Sequence, residues 1–324
     1  MRRSIVLSLT IAASLAAAGA LPGGSATAAE WPERAVRIVV PFPPGGSNDV
    51  IARRLAQWLG HDLKQSFVVE NRPGAGGAVG SSVVASAPAD GYTLLFISGS
   101  LATTAAVQSV PYDPVTAFSP IGRVASSPFV VITRQDFPAK TMPAFIEYAR
   151  ANPGRINYGS AGLGDSTQLA TELLANVAQV KMTGINYKGI APAQLDLAAG
   201  RIDVVITTMA STKGTVADAL PKLAFTSAER DPDFPDIPTV RESTGLDYVV
   251  DVWWGLFAPQ GIAPAIQDRL NRRLAAALAE PELRDFLKTV GAMPAPSTPA
   301  ELQALVRQDV KRWTETARTA GLRQ

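Results

Sequence analysis

Twice in this chain a β-branched run breaks into a glycine-rich loop that opens a helix, and neither loop carries a lysine to hold a nucleotide phosphate. The first runs Val36-Arg37-Ile38-Val39-Val40, then Pro41-Phe42-Pro43-Pro44-Gly45-Gly46-Ser47-Asn48-Asp49, with a helical pattern over Val50 to Leu59. The second runs Ile156-Asn157-Tyr158, then Gly159-Ser160-Ala161-Gly162-Leu163-Gly164-Asp165-Ser166, with a helix from about Thr167 to Val177. Such a junction presents unpaired backbone N–H groups at the positive end of the helix dipole, where a small anion sits well. Two of them, far apart in sequence, suit one ligand with acidic groups held from both sides. Taken singly, each loop is also explained by tight turning between strand and helix. Asp165 and Gln168 have the spacing of a helix cap, so that carboxylate reads as a structural cap as readily as a ligand contact.

The pattern after Trp31 alternates strand and helix, which predicts an α/β fold with largely parallel sheets. Strands are expected at Val36–Val40, Phe67–Glu70, Tyr92–Ile97, Phe129–Thr133, Ile185–Tyr187, Ile202–Thr207 and Leu223–Thr226, with a last strand at Trp253–Pro259. Helices are expected at Ala78–Ala87, Thr141–Ala151 and Ala191–Ala199. Two more close the chain at Pro264–Leu278 and Pro299–Thr319, the latter opened by a Thr298/Glu301 capping box. On a strand, Trp253 and Trp254 alternate faces, one for the core and one free to line a cleft.

The N-terminus has the form of a secretory leader over residues 1–29: Arg2 and Arg3, an apolar stretch from Ile5 to Ala18, and Ala26-Thr27-Ala28 before the expected cleavage. Ser8, Thr10, Ser14, Gly19 and Pro22 interrupt that stretch, and a spanning helix needs roughly 20 mostly apolar residues. The formal charge of +2 resides in those two arginines, so the mature chain is neutral and has no field for nucleic acid or an anionic membrane. With no cysteine, an exported chain takes its stability from its core.

Catalysis and cofactors find little support. His61, the one histidine, follows Gly60 between polar neighbours and reads as a solvated helix end. A serine nucleophile therefore lacks a histidine base. The first loop has no Walker lysine, and Gly74-x-Gly76 is followed by Gly80, one residue late for a dinucleotide fingerprint. Asp231, Asp233 and Asp236 are interleaved with prolines, unlike a calcium loop. No cofactor and no metal are expected. A paired-carboxylate hydrolase stays open, though nothing marks the pair.

Several segments together resemble the receptors of the tripartite tricarboxylate transporter family, also called the Bug family. They are Ile38 to Gly46 with Asp49, Val69 to Gly77, Ala89 to Leu95, Pro111 to Pro114, Tyr158 to Gly162 with Gly164, Ser166 and Thr167, Tyr187 to Gly189 with Ala191 to Ala193, Asp236 to Val240, and Trp254 to Pro259. The resemblance implies a two-lobed periplasmic-binding-protein fold of type II, its lobes joined by two crossing strands. Residues 30–128 and 252–324 would form lobe 1 and residues 129–251 lobe 2. It implies a freely diffusing periplasmic monomer that captures a small carboxylate without chemistry and passes it to a two-subunit membrane permease, or to a sensor kinase. It implies contacts from Phe42, Pro44, Gly45, Gly46, Ser47 and Asp49 in one lobe. The other lobe would contribute Ser160, Ala161, Gly162, Gly164, Ser166, Thr167 and Gln168, with Tyr187, Lys188, Ala191 and Thr207.

Three positions depart from the pattern. Gln168 stands where relatives often have histidine, so a ligand group meeting it need not be anionic. Ser98 to Ser109 lacks the usual Asn-Pro, and Thr207 and Thr208 replace other polar groups.

Overall fold

Continuous apolar runs bounded by glycine and proline become the central strands, because a strand covered by helices on both faces cannot alternate polar and apolar residues. In the computed structural model, which describes residues 31–322, β1 (Val36–Val40) leads through α1 (Ser47–Leu63), β2 (Phe67–Asn71), α2 (Ala78–Ala85) and β3 (Thr93–Ser98) to α3 (Ser100–Val107). β4 (Phe118–Pro128) then runs into β5 (Val130–Thr133) with only Phe129 between them. Next come α4 (Met142–Ala151), β6 (Asn157–Ser160), α5 (Ser166–Ala178), β7 (Thr183–Asn186), α6 (Ile190–Ala198), β8 (Val204–Thr207), α7 (Met209–Thr212), β9 (Lys222–Phe225) and α8 (Val240–Thr244). The chain ends with β10 (Asp251–Pro259), α9 (Pro264–Ala279), α10 (Pro281–Thr289), β11 (Met293–Pro294) and α11 (Pro299–Thr319). The proposed leader lies outside the described residues.

The strands form two sheets, ordered β11-β4-β10-β3-β1-β2 and β7-β6-β8-β5-β9. Each is the floor of one α/β lobe. They are mixed rather than largely parallel. β1 runs parallel to β2 and β3, and β6 to β7 and β8. β10 is antiparallel to β3 and β4, and β5 to β8 and β9. The reason is the crossing. A chain that leaves the first sheet on β4 and returns on its neighbour β10 makes that pair antiparallel.

Thr226 ties the two crossings together. Its fully buried hydroxyl accepts from Phe129 N at 2.8 Å and is in hydrogen-bond reach of Phe129 O and Val250 O. Its own backbone donates to Phe129 O and accepts from Val250 N. The outgoing and returning chains are thus joined at one residue, beside the Asp251–Pro128 end of the β10–β4 ladder.

Elements missing from the sequence reading have readable causes. β4 carries Pro120, Gly122, Pro128 and three serines, a loop-like composition; it is a strand because β10 pairs along its whole length, with register shifts at Val124 and Ile121. Gln267 and Asn271 of α9 donate to the Pro120 and Ile121 carbonyls. α3 is small and threonine-rich and is held by packing on α11. α8 and α10 are short, and α10 separates the two closing helices that were expected. β10 is not the last strand, since β11 pairs with β4. The capping box at Thr298 and Glu301 forms as expected.

Replacing Thr226 with valine keeps its shape and leaves the buried Phe129 N–H without a side-chain acceptor. That change is expected to lower unfolding free energy by about 1–3 kcal/mol, read from the urea midpoint. An unchanged midpoint would contradict the tie between the crossings.

Candidate functional site

α1 begins at Ser47, three residues earlier than its apolar pattern suggests, so the polar residues after Gly46 form its first turn. Gly46 is the extended N-cap and offers no side chain. Gly45 takes φ +90°, which turns the loop onto the helix. Asp49 braces that turn from behind. Its carboxylate accepts from Gly45 N at 3.1 Å, Arg53 Nε at 2.9 Å and Asn71 Nδ2 at 2.9 Å, and Asn71 also donates to Phe42 O. Burial pushes the Asp49 carboxyl up, but the bonds from Arg53, Asn71 and Gly45 outweigh it and hold the group below the usual carboxylate range.

The second loop is organised differently. Asp165 caps α5, with Oδ1 accepting from Thr167 N at 2.9 Å and from Thr167 Oγ1 at 2.7 Å. Thr167 Oγ1 accepts from Ala161 N, Gln168 Oε1 accepts from Gly164 N at 2.7 Å, and Ser100 Oγ accepts from Ser166 N. The amides that make this loop look like an anion cradle in sequence are therefore taken up by the protein's own oxygens. Burial raises the Asp165 carboxyl, against the hydrogen bonds from Ser100 and Thr167.

A third junction, β7 to α6, takes the place of the second as an uncapped helix start. Gly189 is its N-cap with φ +110° and no side-chain cap, and Ile190 and Ala191 open the helix. A Cβ at Gly189 would lie 2.7 Å from Pro43 Cγ, so this backbone approaches the first loop as closely as only glycine allows.

α1 and α6 meet at a cavity of about 30 Å³ between the lobes. Of the residues singled out from sequence, Phe42, Pro44, Gly46 and Ser47 line it from one side, and Ala161, Ser166, Thr167, Ala191 and Thr207 from the other. Gly45, Asp49, Ser160, Gly162, Gly164, Gln168, Tyr187 and Lys188 do not line it. Ser160 Oγ is bonded to Asn186 Oδ1, Tyr187 Oη donates to Asp196 Oδ2, and Lys188 is exposed. Gly162 and Gly164 pack against the backbones of Gly76 and Thr104.

Sequence reasoning did not select Asn48, Gly189, Ile190, Ser211 or Val252 as contacts, and these also line the cavity; Ser98 and Thr208, noted from sequence as departures from the family pattern, line it too. Gly189 before an apolar helical run was the available signal. Ser211 carried none, because only the β8–α7 turn brings it there. Neither tryptophan of β10 reaches the cavity: Trp253 Nε1 donates to Asp309 Oδ2 at 2.7 Å, Trp254 is fully buried, and Val252 is the lining residue.

Lobe-to-lobe bonds rim the site. Ser47 N donates to Ser211 Oγ at 3.2 Å, Ser100 Oγ to Asp165 Oδ2 at 2.6 Å, and Gln108 Nε2 to Leu163 O at 3.0 Å. Further out, Lys288 pairs with Asp233 at 3.0 Å. Among the described lining residues Asp165 is the single ionisable side chain, so positive potential in the cavity comes from backbone N–H groups. A paired-carboxylate mechanism finds no second acid there. Among the described residues no cluster of metal-ligating side chains occurs, and no helix is long and apolar enough to cross a membrane.

Because the ionised Asp49 is stabilised by folding, its contribution is present above its unfolded pKa, near ~4, and is lost as pH falls through the lower folded value. Between about pH 5 and 3 the urea midpoint is expected to fall less steeply in Asp49→Asn than in the unsubstituted chain, with the variant weaker at neutral pH. Parallel pH profiles would rule out this brace.

The family profile described as "Tripartite tricarboxylate transporter family receptor" matches residues 51–322. A Pseudomonas sp. (strain P51) protein from the tcbD-tcbE intergenic region, classed as UPF0065, is 37% identical over 286 residues, 87% of this chain and 85% of that one. The solved periplasmic binding protein BugD is 36% identical with TM-score 0.85, over 90% of this chain and 99% of its own. The R. palustris protein Rpa4515, solved with adipate, is 36% identical with TM-score 0.86, over 90% and 98%. The fold, the site and these relationships agree: the chain belongs to the tripartite tricarboxylate transporter receptor family, a family of solute-binding receptors rather than enzymes.

Proposed function

We propose that this protein captures a small carboxylate between its lobes and delivers it to a two-subunit membrane permease. The observation that carries the reading is the pair of uncapped helix starts, α1 and α6, at one cavity that no cationic side chain lines. Helix N-termini bind carboxylates without a lysine or arginine when several N–H groups converge. The adipate held by the relative Rpa4515 supports the same ligand class.

In this reading residues 30–128 with 252–324 and residues 129–251 move as two bodies about the crossings near Phe129 and Val250. Phe42, Pro44, Gly46 and Ser47 receive the ligand first. Gly189, Ile190 and Ala191 close over it with Ala161, Ser166, Thr167 and Thr207. Gly45, Asp49, Ser160, Gly162, Gly164, Gln168, Tyr187 and Lys188 shape those loops from behind. Residues 1–29 export the chain to the periplasm, where it works as a monomer.

Micromolar capture corresponds to about −8 kcal/mol, several charge-assisted hydrogen bonds at about 1.5–3 kcal/mol each. One helix start cannot supply that alone, so closure is part of the affinity. A Cβ at Gly46 would already lie 3.7 Å from Ile190 Cγ2. The two further methyl groups of Gly46→Val fall between the helix starts while the extended backbone at φ −82° stays allowed.

Protein purified from periplasm without refolding is expected to carry a small acid in native mass spectrometry. Calorimetry should show that acid rebinding after removal, and Gly46→Val should abolish rebinding without lowering the melting temperature by more than a few degrees. Unchanged affinity in the variant would rule out this site, and a bound solute with no acidic group would rule out the ligand class.

A further inference from the structure

The second glycine loop lacks the cradle role its sequence suggests, because the amides of Ala161, Gly164, Ser166 and Thr167 are bonded within the chain. Two of its carbonyls are used instead, and they face the opposite lobe. Gln108 Nε2, at the C-terminal end of α3, donates to Leu163 O at 3.0 Å and to Ala75 O at 2.9 Å. A side-chain amide nitrogen carries two N–H groups. One of these bonds stays inside the first lobe, and the other crosses to the second. The buried Thr104 hydroxyl donates to Gly76 O at 2.8 Å and lies 3.3 Å from Gly164 O.

The backbones also meet along this seam. A Cβ on Gly164 would lie 2.9 Å from Thr104 Cα, and one on Gly162 would lie 3.2 Å from Gly76 Cα. A Cβ on Gly76 would fall on the Leu163 carbonyl oxygen. Gly76 and Gly164 take φ +63° and +76°, ordinary values for a glycine turn. What sets them apart is that the nearest atom each Cβ would strike belongs to the other lobe. None of Gly76, Thr104, Gln108, Gly162, Leu163 and Gly164 lines the cavity. The seam is therefore built between the lobes and away from the captured solute.

Resting on the receptor reading above, we infer that the Gly162–Gly164 loop is a docking tab that seats on α3 and the Ala75–Gly77 turn, and that Gln108 is the positioning residue that sets how long the closed lobes hold their solute. The Gln108–Leu163 bond and the glycine contacts exist only when the lobes are together. They add to the closed form and nothing to the open form that first meets the solute. Such contacts lengthen the bound lifetime and leave the capture rate nearly unchanged. Recognition and retention are thereby separated: the starts of α1 and α6 read the acid, and the seam times its release.

The test follows the acid carried by the full mature chain purified from periplasm. Native mass spectrometry after dilution gives its release half-life, and stopped-flow mixing with the same acid, identified by mass and resupplied, gives its rebinding rate. Gln108→Glu matches glutamine in size but turns a carboxylate oxygen toward two carbonyl oxygens. It is expected to shorten the half-life by about fivefold or more, with the rebinding rate within about twofold and the melting temperature nearly unchanged. Gln108→Met keeps the length, removes both donors and should shorten the half-life to a smaller degree. Gly164→Ala drives a methyl group against Thr104 and should also speed release. A half-life unchanged in all three variants, or rebinding slowed in proportion to the faster release, overturns the inference and leaves the receptor reading intact. Purified protein that carries no acid overturns the receptor reading on which the inference rests.

Discussion

The first N–H groups of every α-helix lack partners within the helix, and how each helix start meets that requirement decides what this molecule can hold. At α5 the chain supplies its own oxygen, from Asp165, and the start is closed to other anions. At α1 and α6 the N-caps are Gly46 and Gly189, with no side chain to fold back. Those two starts open onto the same cavity from opposite lobes, and the near contact of Gly189 with Pro43 sets how closely they come together. The remaining architecture serves that meeting. The mixed sheets place both junctions at the lobe interface, and Thr226 joins the two chain crossings on which the lobes hang.

Electrostatics follow from the same arrangement. Backbone dipoles attract an acid without a cation whose own burial would be costly. A lysine or arginine in so small a space would need a permanent partner between binding events, whereas peptide groups are fixed in place by the helices that carry them. Ser211 Oγ already accepts from Ser47 N across the interface, an uncharged oxygen standing where an acid's oxygen fits. Peptide dipoles thus let a cavity with no cationic side chain among its described lining residues attract an acid.

Much of the fold was legible in sequence. Runs such as Val36–Val40 and Val204–Thr207 are buried along nearly their whole length, and glycine loops mark where strands give way to helices. Legibility failed where pairing or packing overrides composition. β4 reads as a loop until β10 lies beside it, and α3 reads as a small-residue linker until α11 covers it. At the site, the first glycine loop was legible because its role is local. The second was read as a cradle, although the Asp165–Gln168 spacing already marked a cap, and Asp165 is the residue that caps α5. Ser211 and Val252 come from distant segments and enter the cavity only through tertiary folding.

The most direct test is a crystal structure of the protein with its captured acid in place. Ligand carboxylate oxygens within hydrogen-bond distance of backbone N–H groups in the first turns of α1 and α6, with the amides of Ser166 and Thr167 still held by Ser100 and Asp165, are the predicted result. An acid group seated on the α5 amides, or held by a lysine or arginine side chain, would contradict it.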